Sequence, residues 1–192
     1  MDTANLQAIR EAFGRVVYSH KTHEKDCEMG NRRARATKWI NVVLTTLTSG
    51  SLVTDLFFQC PSLPYISTIL AATTLAFVIF QLSFNPEEVA EKHRQAAKEL
   101  WYVREKYVSL LVDIKNGVLS EEAVTKRRDS LIEELKLIYK FTPPTSTSAY
   151  KNAQKALKVN EELTFTNEEI NQFLPEDLWL KSRKTNGSGT KN

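Results

Sequence analysis

Two apolar runs dominate the hydropathy pattern of the chain. They cover residues 39–58 and 64–84 and are separated by a five-residue segment that holds Pro61 and no Lys or Arg, with a second proline, Pro64, directly after it. The first run has no charged residue before Asp55, and the second has none. Each run is about 20 residues long, the length at which a helix crosses ~30 Å of hydrocarbon. The pattern therefore predicts a membrane hairpin of two spans joined by a tight turn.

The flanking segments have helical periodicity. Residues 4–20 carry apolar side chains three and four positions apart, which predicts an amphipathic helix. No proline precedes the turn, so nothing forbids one long, nearly continuous helix up to it. Asn85-Pro86-Glu87-Glu88 predicts a kink and a new helix start. A heptad seam then runs to a stop at Asn116-Gly117. Its predicted members are Val89, His93, Ala96, Leu100, Val103, Tyr107, Leu110 and Ile114.

Folding the chain back at about residue 61 predicts how the two flanking helices meet. It places Phe13 near Leu110, so the hairpin is expected to continue as a stalk of ~45 Å. Residues 21–35 and 86–100 contain few large apolar side chains. We expect this middle section to be the loosest part of the stalk.

The remainder of the chain predicts shorter helices. A third helix should begin at Ser120 and end before Thr142-Pro143-Pro144, and a fourth should cover residues 148–162. Thr166 and Glu169 form a capping-box pattern. The predicted fold is all-α: a two-transmembrane helical hairpin extended by a cytosolic helical stalk and a C-terminal helical region. The expected segments are residues 1–38, 39–84, 85–141 and 142–183, with a disordered tail at 184–192.

The net charge of +3 is too small to indicate nucleic-acid binding. Four cations precede the first span, three follow the second at residues 92–98, and the turn has none. Such an asymmetry is typical of cytoplasmic flanks, and it predicts that both termini lie in the cytoplasm. The four that form the predicted membrane-flank anchor are Arg32, Arg33, Arg35 and Lys38.

Polar residues recur along the first span near helical spacing. They are Asn41, Thr45, Thr48 and Asp55. Small and hydroxyl side chains allow helices to pack closely in lipid, so helix packing is one explanation. The other is that several copies assemble around a water-filled path lined by this stripe.

Catalytic and cofactor patterns are missing from the sequence. No glycine cluster precedes a Lys-Ser/Thr pair, and no Ser-His-acid set is indicated. His20, His23 and Cys27 share a helical face at metal-ligand-like spacing, but the fold-back places His93 about two turns away from them. We therefore predict no enzyme activity, no cofactor and no metal.

The order of these features resembles the SLATT family, the SMODS- and SLOG-associating two-transmembrane effectors of bacteria. The similarity covers roughly residues 3–180, with Arg32-Arg33-Ala34-Arg35 ahead of Trp39 and Asn85-Pro86-Glu87 after the second span. Thr166-Asn-Glu-Glu169-Ile with Phe173-Leu174-Pro175 is similar to the C-terminal extension of one subgroup.

The resemblance implies an inner-membrane effector of an antiphage or conflict system. A partner would sense infection, through a nucleotide-type second messenger or as a sensor protein, and the effector would assemble as a homo-oligomer and breach the bilayer. Two alternatives remain open at this point. One is a non-conducting membrane anchor that presents a coiled-coil surface, and the other is a soluble helical bundle with a buried hairpin.

Overall fold

The computed structural model describes residues 3–57 and 61–180. The fold is all-α, as predicted, and no strand occurs in these two ranges. The predicted tail at 184–192 and the predicted end of the first span at residue 58 lie outside the described residues. The helices are α1 (Thr3–Phe57), α2 (Leu63–Ser83), α3 (Pro86–Lys115), α4 (Glu121–Phe141), α5 (Thr147–Lys158) and α6 (Asn167–Asn171), followed by a 3₁₀ turn (Glu176–Leu178).

The first helix is continuous over 55 residues. At 1.5 Å per residue it is about 80 Å long, which is enough to form one side of the stalk and one membrane span. Its sequence has no proline, and three isolated glycines weaken a helix without ending it. The single long helix that the sequence allows is therefore present over Thr3–Phe57.

The chain leaves helical geometry between α2 and α3. Phe84 (φ −124°, ψ 83°) is non-helical and Asn85 (φ −85°, ψ 93°) is extended. The Asn85 side-chain oxygen accepts hydrogen bonds from the backbone N–H groups of Glu87 (3.2 Å) and Glu88 (3.3 Å), and Pro86 occupies the first helical position. This is the predicted restart, because a proline there has no N–H to leave unsatisfied.

The stalk core forms where α1, α3 and α4 pack together. The buried members of this cluster are Ile9, Val16, Leu100, Val103, Tyr107, Leu110, Val124, Leu131 and Ile138. The predicted seam was wrong at its first position, because Val89 is 49% exposed and its neighbour Ala90 is buried instead. At the other end of α3, Gly117 adopts φ +66°, a left-handed conformation that suits glycine and ends the helix where the sequence predicted.

The middle of the stalk is tightly packed, so the prediction that it would be the loosest part was wrong. Gly30 approaches α3 so closely that an added Cβ would lie 2.8 Å from the Ala90 Cβ. The prediction counted only large apolar side chains, whereas small residues let two helices approach each other. The buried residues of this section are Lys21, Thr22, His23, Cys27, Ala34, Ala90, His93, Ala96, Ala97 and Leu100.

The chain divides into two compact units, Met1–Gln154 and Lys155–Asn192. Within the second unit, the Thr166 hydroxyl accepts from the Glu169 N–H (3.2 Å) and the Glu169 carboxylate accepts from the Thr166 N–H (2.8 Å). The predicted capping box is thus present at the start of α6. The fourth predicted helix is shorter than expected, since α5 ends at Lys158 rather than residue 162.

Candidate functional site

The outer surface of the hairpin is apolar and uncovered. Both α1 and the stretch Leu63–Lys115 contain a segment long and apolar enough to cross a membrane, and none of that segment in α1 and only 6% of it in the second stretch is buried. Trp39, Leu56 and Leu82 are 70%, 82% and 80% exposed. A soluble bundle would bury such helices, so this surface disfavours the alternative of a buried hairpin.

The two spans contact each other through polar side chains. The hydroxyls of Thr48 and Thr74 are 2.9 Å apart, and the Gln81 amide donates to the Thr37 carbonyl oxygen (3.1 Å). Ser67 is also buried within the hairpin. Interhelical hydrogen bonds of this kind stabilise helix pairs in lipid, where no water competes for the groups.

The predicted polar stripe is divided by the structure. Asn41, Thr48 and Asp55 recur every seven residues and are half-buried on one side of α1, the side of the contact with Thr74. Thr45 lies at the edge of that side and is exposed. The stripe therefore provides both a packing surface within the hairpin and an uncovered hydroxyl beside it.

Two buried polar atoms of the hairpin are unsatisfied. The Asn41 side-chain oxygen and the Ser67 hydroxyl have no hydrogen-bond partner among the described residues. In water-free surroundings an unpaired polar group costs several kcal/mol. The sequence indicated polar residues here but could not show which of them lack a partner, because that depends on the orientation of each side chain.

The five residues proposed from sequence as the strongest part of the stalk seam lie on the α1-facing side of α3. Leu100, Val103 and Tyr107 are 0% exposed, Leu110 is 2% exposed, and Ile114 is partly buried against them. Burial raises the pKa of the Tyr107 phenol.

Helix α4 is held to the stalk by polar contacts. The Lys106 ammonium contacts both Glu134 carboxylate oxygens at 2.8 Å, and the Tyr139 hydroxyl donates to Ser19 at 2.9 Å.

A histidine pair joins α1 and α3 in the tightly packed section. The His23 Nδ1 and His93 Nδ1 atoms are 2.9 Å apart, and the ring centroids are separated by 5.1 Å. The predicted register, which placed His93 two turns away, was therefore wrong. It treated both limbs as helical throughout, whereas the non-helical Phe84 and Asn85 advance the chain faster than a helix does, which accounts for about two of the six residues of the shift.

Burial controls the charge of these histidines. Desolvation, together with the proximity of His93, lowers the pKa of His23 to about 4. Burial also lowers the pKa of His93 and that of His20, whose Nε2 lies 3.5 Å from a Glu24 carboxylate oxygen. At neutral pH the three imidazoles are therefore uncharged.

Comparison with models of protein families shows which family the chain belongs to. The family model described as SMODS and SLOG-associating 2TM effector domain family 4 matches residues 6–169. The chain belongs to this family. No curated protein and no solved structure matches it. The resemblance drawn from the sequence is thus confirmed, and the two spans of the 2TM effector correspond to the apolar parts of α1 and α2. Residues 170–180 lie beyond the matched range.

The basic flank of this SLATT chain lies at the end of the stalk that adjoins the first span. Arg32, Arg33 and Arg35 are exposed, and no ion pair involves them among the described residues. Lys38 contacts the Glu87 carboxylate at 2.7 Å, which ties the start of the first span to the start of α3. Exposed arginines in this position are suited to contact lipid phosphates.

In the described ranges no group of three or more His, Cys, Asp and Glu side chains is placed to hold a metal ion. His20, His23 and Cys27 are all buried on α1, but the histidine pair is made with α3. In sequence, the position of His93 within the heptad seam was the signal that it would face α1.

Proposed function

We propose that the chain is a bacterial inner-membrane effector of an antiphage or conflict system that oligomerises into a pore. Both termini would lie in the cytoplasm, and the outward apolar surface of the hairpin would face lipid and neighbouring copies. Family membership supports the effector role, and the uncovered apolar spans support a membrane location. Disruption of the bilayer, without catalysis or a cofactor, would halt the infected cell.

The observation that carries the pore proposal is the pair of unsatisfied atoms inside the hairpin. The Asn41 oxygen and the Ser67 hydroxyl form no hydrogen bond with the described residues of the single protomer. Water in a central path, or a polar group of a second copy, would satisfy them. A rearranged assembly would therefore recover free energy that the isolated hairpin forgoes, which is the property expected of the open form of a two-state pore.

Activation in this proposal comes from a partner that acts on the cytosolic helices. A nucleotide-type second messenger or a sensor protein would bind the stalk more tightly in the open assembly than in the closed one. Only such a difference in affinity can shift the equilibrium between the two forms. Specific nucleic-acid binding is not part of the proposal, since the net charge is only +3.

The test is ion flux through the purified chain reconstituted in liposomes, with Thr45→Leu as the main variant. Thr45 is exposed at the edge of the polar side, so leucine should leave the hairpin intact and reduce flux about tenfold or more by drying the path. Thr46→Leu is the matched control, because the Thr46 hydroxyl donates to the carbonyl oxygen of Val42 on an exposed side and its loss should leave flux unchanged.

Two results would contradict the proposal in different ways. Unchanged flux in Thr45→Leu would remove the stripe from the pore lining. No flux with the wild-type chain would favour the second candidate, a non-conducting anchor whose stalk presents a surface to a partner. The satisfied contacts between Thr48 and Thr74 and between Gln81 and Thr37 favour that candidate, because they also serve a hairpin that stays closed.

A further inference from the structure

The contact between His23 and His93 depends on protons in a way that few interhelical contacts do. Both side chains are buried, at 3% and 5% exposure, and their Nδ1 atoms face each other at 2.9 Å. Each Nδ1 atom either carries a hydrogen and donates or lacks one and accepts. The contact requires one of each, so a single proton must lie between the two atoms.

This requirement limits the number of protons that the pair can hold. With two neutral rings of opposite tautomer, one ring donates and the other accepts. One added proton preserves the contact, because an imidazolium still donates to a neutral ring. A second added proton places two N–H donors and two positive charges against each other at a separation that only a hydrogen bond permits. The doubly protonated pair must therefore separate.

The surroundings offer little to compensate those charges. On α1, Asp26 favours the charged form of both rings and His20 opposes it in His23. Both Asp26 oxygens are already used, since they accept from the Ser146 N–H (2.9 Å) and hydroxyl (2.7 Å) ahead of α5. The charges that act on His20 come from Lys21 and Glu24 on α1 and from Arg104 and Glu105 on α3.

We propose that His23 and His93 form a proton-operated latch that holds α1 against α3 in the middle of the stalk. The closed latch excludes the second proton, and the open stalk exposes both rings to water. Opening is therefore accompanied by proton uptake, and acidification favours the open stalk whatever else the protein does. The latch is independent of whether the hairpin conducts ions.

The size of the effect follows from proton linkage. In the closed stalk the pKa of His23 is held at about 4, and in the open stalk it returns to about 6.5, its ordinary value. Closed-state stability is therefore complete above pH 6.5 and is lost as the pH falls towards 4. For His23 alone, the ratio of open to closed stalk should rise about tenfold per pH unit within that window.

Cys27 provides a built-in probe of opening. It is 8% exposed, lies one turn from His23, and its sulfur accepts from the Asn31 amide. In a Cys60→Ser background it is the remaining thiol of the chain. We would measure its modification by a maleimide in detergent micelles, divided at each pH by the rate for the denatured chain, which removes the effect of thiol ionisation. From pH 7.5 to 5.5 this ratio should rise about tenfold.

Two variants distinguish opening caused by the latch from a general sensitivity of the protein to acid. The double variant His23→Gln/His93→Gln keeps a donor and an acceptor on each side chain but cannot titrate, so its ratio should change less than about twofold. His20→Gln, the matched control, should keep most of the wild-type rise. A flat wild-type ratio, or a full rise in the double variant, would overturn the proposal.

A second measurement, on the wild-type protein, tests the proposal if the double variant does not fold. The chain has three histidines, so their ring signals can be followed individually by NMR in the wild-type protein. The His23 signal, assigned by single substitution, should remain that of a neutral ring down to about pH 5 while the stalk is closed. Titration of the His23 and His93 signals near 6.5 in the folded chain would refute the latch.

Discussion

Gly30 sets the distance between the two long helices. It faces Ala90 at a point where a Cβ would lie 2.8 Å from the Ala90 Cβ and 3.3 Å from its Cα. Backbone atoms cannot yield as a flexible side chain does, so the helices must move apart if a methyl group is added. The same approach brings the histidines within hydrogen-bond distance nearby. A glycine that would ordinarily weaken a helix is therefore required here by packing.

The first prediction concerns this glycine. Gly30→Ala should lower the free energy of unfolding by about 1–3 kcal/mol, because overpacking outweighs the gain in helix propensity. Thermal unfolding in detergent, followed by circular dichroism, measures the change. Gly14→Ala is the control, since a Cβ there meets nothing within 4 Å, and it should stabilise the chain by up to about 1 kcal/mol. Stabilisation by Gly30→Ala would show that the helices are not in contact at this point.

At the scale of the helices, the sequence predicts which segments are helical better than it predicts which residues of neighbouring helices lie opposite each other. Folding the chain at residue 61 places Thr48 opposite Thr74, as found. The same rule places His23 near Glu99, whereas its observed partner is His93. Part of the error arises at the break after α2, where the non-helical Phe84 and Asn85 account for about two of the six residues of the shift. Apolar periodicity locates a helix, but it does not determine which residues of two neighbouring helices lie opposite each other after a break.

The register of the spans can be tested by cross-linking. In a chain without Cys27 and Cys60, the pair Thr48→Cys/Thr74→Cys should form a disulfide in most molecules upon mild oxidation in membranes, because the hydroxyls that the sulfurs replace are 2.9 Å apart. Thr45→Cys/Thr74→Cys should remain near background, since Thr45 is exposed. Mobility on a non-reducing gel separates the two forms. Efficient cross-linking of the second pair would place Thr45 on the side that packs against α2.

At the scale of the whole molecule, the separation of apolar from charged residues along the sequence carries most of the information about the fold. The two apolar runs predict the hairpin, the heptad seam predicts a buried face of α3, and together they account for the all-α fold. The sequence does not predict which hairpin atoms lack a partner, nor that the two helices approach each other closely in the polar middle of the stalk. Both depend on side-chain contacts between distant residues, and hydropathy treats Gly30, Ala90 and His93 as weak contributors.

Orientation across the membrane is the last prediction, and it follows from where the cations are. The exposed Arg32, Arg33 and Arg35 flank the first span, while the turn carries no cation, so the turn should face outwards and the stalk the cytoplasm. A membrane-impermeant maleimide applied to cells with a permeabilised outer membrane should label Ser62→Cys. It should label Glu28→Cys, an exposed stalk position, only after the inner membrane is lysed. Both variants need the Cys27- and Cys60-free background.

The cause of that orientation can be tested with the same labels. Replacing the three arginines with glutamate removes the charge asymmetry, so a larger share of molecules should insert with Glu28→Cys labelled from outside. Replacing Glu121 and Glu122 with lysine is the control, because these exposed residues begin α4, away from the spans, and should leave labelling unchanged. Outside labelling of the stalk in the otherwise unchanged chain would place the basic flank on the wrong side for a cytoplasmic partner. The proposed activation through the stalk would then have no access to its signal.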